Sequence, residues 1–143
     1  MATSRYTKAR KRGLAKGDRN FCGPIALSIA CRVPYNKAYS AAKKAGRKDR
    51  HGMWLGELLA AAKDLGCDST KVFNKGNRPL RQPNGSKYTP KTIGKRLKHG
   101  YYICMTADHF FAVVNGVVED WSDSNNLHIK YAFRITVPRG SRS

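Results

Sequence analysis

Asn20-Phe21-Cys22-Gly23-Pro24 opens a helical pattern whose apolar members are Ile25, Ala26, Ile29, Ala30 and Val33. Counted from Cys22, these stand at offsets of three, four, seven, eight and eleven, the spacing of a helix buried along one side. Pro24 suits a first helical turn, where its missing N–H costs nothing. Cys22 therefore heads a helix, where unpaired backbone N–H groups and the helix dipole favour a thiolate. A cysteine so placed is a candidate nucleophile, and the remaining chain can be searched for its base.

Downstream, Val33-Pro34-Tyr35 breaks the pattern, and a second helix is expected over about 36–45, with Ala38, Tyr39, Ala42 and Ala45 on one face and Gly46 as its stop. A third is expected over about 53–65, with Trp54, Leu55, Leu58, Leu59 and Ala62 at helical spacing, a stripe we read as core. Thr70 to Phe73 reads as a short strand, and 75–87 as a loop rich in Asn, Gly and Pro. Thr89-Pro90 predicts an N-cap and first-turn proline for a helix through Ile93 and Leu97 to Gly100.

From Tyr101 the period becomes that of strands. Tyr101 to Thr106 is one strand, and His109 to Val114 and Val117 to Trp121 flank Asn115-Gly116, the signal of a two-residue type I′ hairpin. Leu127, Ile129, Tyr131, Phe133 and Ile135 alternate with His128, Lys130, Ala132 and Arg134, which predicts a half-buried final strand. Helices followed by an antiparallel meander make an α+β domain.

A two-residue turn at Asn115-Gly116 places Val114 opposite Val117, Phe111 opposite Asp120 and His109 opposite Ser122. His109 and Asp120 then become diagonal neighbours on one face. An imidazole oriented by a carboxylate is half of a nucleophilic triad, and Cys22 supplies the other half. The alternative is a histidine of the core or strand edge with no chemistry. His51, His99 and His128 lack such partners and read as surface or structural.

Charge points to a second property. Of 143 residues, 28 are Lys or Arg and 9 are acidic, a formal charge of +19. Such a field implies an anionic partner, whether nucleic acid, wall polymer or acidic protein, or else only a basic protein kept soluble by its charge. Residues 1–19 form a basic arm with Arg5, Lys8, Arg10, Lys11 and Arg12 as candidate nucleic-acid contacts. The glycine-bounded loop 46–52 adds Arg47, Lys48 and Arg50. Both segments also fit a solvated surface, and Tyr6 alone in the arm makes no stacking platform.

Four cysteines without a C-x-x-C pair give no metal or redox motif, so neither metal nor organic cofactor is expected. No apolar stretch reaches membrane-spanning length, and separated thiols fit a reducing cytoplasm. Val137-Pro138-Arg139-Gly140-Ser141 is similar to a thrombin-cleavage linker, so 137–143 is set apart as a tail.

These motifs together resemble a family. A cysteine heading the first core helix, a histidine at the head of a strand and an Asp on the next strand follow the order of papain-like cysteine peptidases. Asn20 to Leu27, Val33-Pro34-Tyr35, Ala45 to Lys48 and His109 to Trp121 resemble small phage and prophage proteins similar to C39-type peptidases. The resemblance covers about 20–135 and implies a papain-like fold over 20–136, with N-terminal helices packed on a C-terminal antiparallel sheet. It also implies a cysteine peptidase or isopeptidase of phage origin, with Cys22 as nucleophile, His109 as proton carrier and Asp120 as orienting acid. Its substrate is a protein or peptide, in the host cytoplasm or the virion. Papain-like enzymes commonly place a Gln some six residues before the cysteine to stabilise the oxyanion. That position is Lys16 here, leaving Asn20 as the nearest amide donor or as a helix cap. A cell-wall amidase and an inactive scaffold that binds nucleic acid through its basic arm are the alternatives.

Overall fold

The computed structural model describes residues 22–46, 55–72, 80–106, 110–119 and 128–137. Three helices come first: α1 (Cys22–Ala30), α2 (Tyr35–Lys44) and α3 (Leu55–Asp64). Strand β1 (Asp68–Lys71) follows, then the one-turn helix α4 (Pro90–Ile93), β2 (Tyr101–Met105), β3 (Phe110–Val114), β4 (Val117–Glu119) and β5 (Tyr131–Thr136). The strands form one antiparallel sheet in the order β1-β5-β2-β3-β4. The α+β class and the order of helices before sheet are as expected.

The sheet carries a core on each face. Helix residues Ile25, Ile29, Tyr35, Ala38 and Leu58 pack with Ile103, Phe110, Ala112, Phe133 and Ile135 on one side. On the other, Leu80, Tyr88, Ile93 and Leu97 cover Tyr102, Cys104, Phe111, Val113 and Ala132. Residues 80–100 thus form a third layer, behind the sheet as seen from the helices.

Helix α1 departs from the expected single buried face. Gly23 to Leu27 are all buried and only Ser28 is partly open within the remainder of the helix. The cause is its position, with the sheet on one side and α2 and α3 on the other. A helix apolar all round is an interior helix. Helices α2 and α3 keep one buried face each, Tyr35, Ala38, Ala41 and Ala42 in the first and Leu58, Ala61 and Ala62 in the second. Their exposed ends meet at a Lys44–Asp64 ion pair of 3.3 Å, a solvated contact of small energetic value. In α3, Gly56 faces open space, so Gly56→Ala should stabilise the fold by about 0.5–1 kcal/mol in urea denaturation.

Two further expectations are corrected. The helix begun at Thr89-Pro90 lasts one turn, with the Thr89 N–H donating to Thr92 Oγ1 at 2.9 Å, and does not run to Gly100. Beyond it the chain tightens, Lys95 N–H donating to Thr92 O and Arg96 N–H to Ile93 O, three residues back. The strands are also not a simple meander. Only β2, β3 and β4 follow one another, and β5 crosses back to lie between β1 and β2. Phe133 and Ile135 are buried against the helices and Ala132 against the other layer, while Arg134 and Thr136 on that second face are exposed. Strand β5 is thus interior in the strand order and half-buried, as expected. Ile129, ahead of β5, joins the back layer, where its N–H donates to Tyr88 O at 2.8 Å.

Candidate active site

The Cys22 helix is directed by what happens at its far end. The Cys31 N–H donates to Leu27 O at 2.8 Å, and Arg32 then takes a left-handed φ of 57°. Ser28 Oγ donates to Val33 O at 2.7 Å and closes the turn. The Arg32 guanidinium lies 4.0 Å from the centre of the Tyr101 ring. Tyr101 pairs with Val114, so the C-terminal end of α1 lies where β2 begins and β3 ends.

From there the axis of a nine-residue helix runs back about 13 Å, close to the length of a five-residue strand. Helix α1 packs chiefly on β3, with β2 beside it. Its first residue, Cys22, is therefore carried toward the Met105–Phe110 end of the sheet. Ala112, small and fully buried, is the middle residue of β3 and lets the helix approach closely.

The hairpin forms as expected. Asn115 has φ 49° and Gly116 φ 84°, the paired positive angles of a type I′ turn. Val114 pairs with Val117, Val113 with Val118 and Ala112 with Glu119, the predicted register as far as the described residues reach. The Asn115 N–H donates to Gly100 O and the Gly100 N–H to Asn115 Oδ1, each at 2.8 Å. These two bonds fasten the turn to the back layer and so fix the height of β3 and β4.

Among the expected site residues, Cys22 is described in its backbone, at the first position of α1. Asn20, His109 and Asp120 lie outside the described residues, as do Arg5, Lys8, Arg10, Lys11, Arg12, Arg47, Lys48 and Arg50. His109 immediately precedes β3 and Asp120 immediately follows β4 in the chain. His99 and His128 are exposed, as their reading as surface residues requires.

One residue went unnoticed in the sequence. Glu119 is 2% exposed, and its pairing with Ala112 puts it on the sheet face covered by α1. The signal was present in the hairpin register, which gives Glu119 the parity of Ala112 and Val114. A carboxylate on that face, adjacent in sequence to Asp120, is a second candidate acid.

The other cysteines are structural in their surroundings. Cys31, Cys67 and Cys104 are all buried, and burial alone pushes the Cys104 thiol far up from its ordinary value. Buried apolar thiols of this kind are poor nucleophiles. Among the described residues, no three of His, Cys, Asp and Glu come together to hold a metal ion. Nor is any described helix long and apolar enough to cross a membrane. Comparison with known proteins adds no relative, since no family model, no curated protein and no solved structure matches this chain.

Proposed function

We propose that the chain is a papain-like thiol hydrolase, a cysteine peptidase or isopeptidase, with Cys22, His109 and Asp120 as its catalytic residues. One observation carries the reading: the helix headed by Cys22 packs on β3 with its far end beside Tyr101, where β3 ends, which directs Cys22 toward the start of β3, one residue after His109. In this reaction Cys22 Sγ attacks the acyl carbon while His109 takes the thiol proton. The imidazolium passes that proton to the leaving amine, and a water then hydrolyses the thioester. Asp120 holds the imidazole in its productive tautomer. The Cys22 N–H, with Asn20 as a side-chain donor, meets the oxyanion.

The reading makes a demand on the backbone. Within β3, Phe110, Ala112 and Val114 face α1, while Phe111 and Val113 face the back layer. His109 has the parity of Phe111, so its imidazole reaches Cys22 only if the chain leaves the regular pleat ahead of Phe110. Glu119 has the parity of Ala112 and needs no such departure.

The test is the rate of Cys22 alkylation by iodoacetamide as a function of pH. Burial of Cys31, Cys67 and Cys104 lets labelling of the native protein report on Cys22. Labelling that stays fast well below the pKa of an ordinary thiol, about 8.5, and slows at least about tenfold in His109→Ala, is expected. Cys22→Ser should abolish it. Asp120→Asn should slow it more than Glu119→Gln, and the opposite order would move the orienting role to Glu119. A profile that rises only near the free-thiol value and ignores His109 would end the enzyme reading.

A further inference from the structure

The acidic residues are unevenly distributed. Between Asp68 and Asp108 the chain carries nine Lys or Arg residues and no Asp or Glu. This stretch supplies the layer behind the sheet, the face opposite the helices. Within it, Ile93 and Leu97 turn fully inward, while Lys95, Arg96, Lys98 and His99 are exposed. Arg134 of β5 joins them, its Nε about 3.5 Å from the position a side chain on Gly100 would occupy. The pairing of Arg134 with Tyr102 and Thr70 places it on this same face. Asp68 is the one described carboxylate whose register gives it that face, and it lies on the edge strand β1.

We infer that Lys95, Arg96, Lys98 and Arg134 form a docking surface for the phosphate backbone of a nucleic acid, independent of the thiol site. Among the described residues these cations have only Asp68, on the edge strand, as an acidic neighbour on their face, and predominantly single-sign charge is the electrostatic footprint of a polyanion partner. A membrane surface fits less well, because Leu80, Ile93 and Leu97, the described large aliphatic residues of the back layer, are buried rather than offered for insertion between lipids. A protein partner fits less well too, since protein interfaces are depleted in lysine and use aromatic anchors. The four cations stand on a tight turn and within strand β5, with no described helix among them to enter a groove, so contact is with phosphates and tolerates any sequence.

The surface also lies away from the end of the sheet to which Cys22 is directed. Residues 94–100 meet the Asn115–Gly116 turn, where β3 ends, whereas α1 begins toward the start of β3. A bound strand leaves the proposed thiol site open. Binding therefore survives Cys22→Ser.

The test is fluorescence anisotropy of the full chain with labelled short duplex DNA and with single-stranded RNA of unrelated sequence, over a salt series. Two variants with the same charge change are compared: Lys95→Glu/Lys98→Glu on the surface, and Lys37→Glu/Lys63→Glu on the helix layer. All four lysines are exposed, and thermal melts establish that both variants fold. The first should lose about tenfold or more in affinity and lower the slope of log affinity against log salt by about two. The second should stay within about threefold of the parent. Equal losses in both would mean diffuse attraction and would overturn the surface, as would an unchanged affinity in the first. Binding confined to phosphatidylserine vesicles, with none to either nucleic acid, would overturn it as well.

Discussion

Gly94→Ala should destabilise the fold by about 1–3 kcal/mol in urea denaturation, although the backbone there is helical and would ordinarily welcome alanine. Gly94 has φ −59°, so no conformational penalty attaches to a side chain. The obstacle is spatial. A Cβ on Gly94 would collide with the carbonyl oxygen of Gly116, which is backbone and cannot rotate aside. Gly116 is itself held, with φ 84°, the Gly94 carbonyl 3.1 Å from where its own Cβ would stand and Lys98 Cα at 3.7 Å. To admit a methyl group, the hairpin must lift from the back layer and strain the two Asn115–Gly100 hydrogen bonds. Gly94→Val should cost more, and Gly56→Ala supplies the opposite sign in the same assay. Wild-type stability in Gly94→Ala would show that the hairpin and residues 94–100 do not meet so closely.

The second large effect is expected from Phe111→Ala, about 3–5 kcal/mol by the same measurement. Phe111 is 2% exposed and stands on β3 among Tyr102, Val113, Ile93 and Leu97. Truncation would empty the space between sheet and back layer, and neither a paired strand nor the clamped turn can collapse to fill it. A loss of that size is a large part of the roughly 5–15 kcal/mol typical of a domain. Val117→Ala on the same hairpin is the comparison, since Val117 is 52% exposed and should change stability by less than about 0.5 kcal/mol. A small effect at Phe111 would mean that residues 80–100 do not form a second core.

Both predictions rest on a layer that local sequence patterns did not reveal. The hairpin was legible because Asn-Gly between apolar strands has one favoured geometry, and its register followed by counting outward. The three helices were legible from their period, and the position of Cys22 from the proline two residues beyond it. What covers each face was not legible. Period tells which residues share a face but says nothing of the element opposite, so α1 looked one-sided although Leu27 is also fully buried. The same limit hid the place of β5, whose neighbours are set by which sheet edge remains open. It also hid the length of α4, where close contact with Gly116 prevails over helical spacing. For the proposed thiol site, the sequence offers the order Cys22, His109 and Asp120, of which the described residues include Cys22 alone. Glu119 passed unnoticed because a carboxylate in a run of valines reads as an exposed position until the pleat is counted from the turn.

The place of β5 also bears on how the protein is made. Its partners β1 and β2 are synthesised well before it, yet neither can reach its final neighbour until Tyr131–Thr136 has left the ribosome. During that interval β1 has no described strand partner and β2 is covered along one edge only. The helices meanwhile rest against a sheet lacking Phe133 and Ile135. Such long-range closure makes folding slow and leaves strand edges exposed to neighbouring nascent chains. A chain this basic gains from mutual charge repulsion during that delay, when compact packing cannot yet protect it.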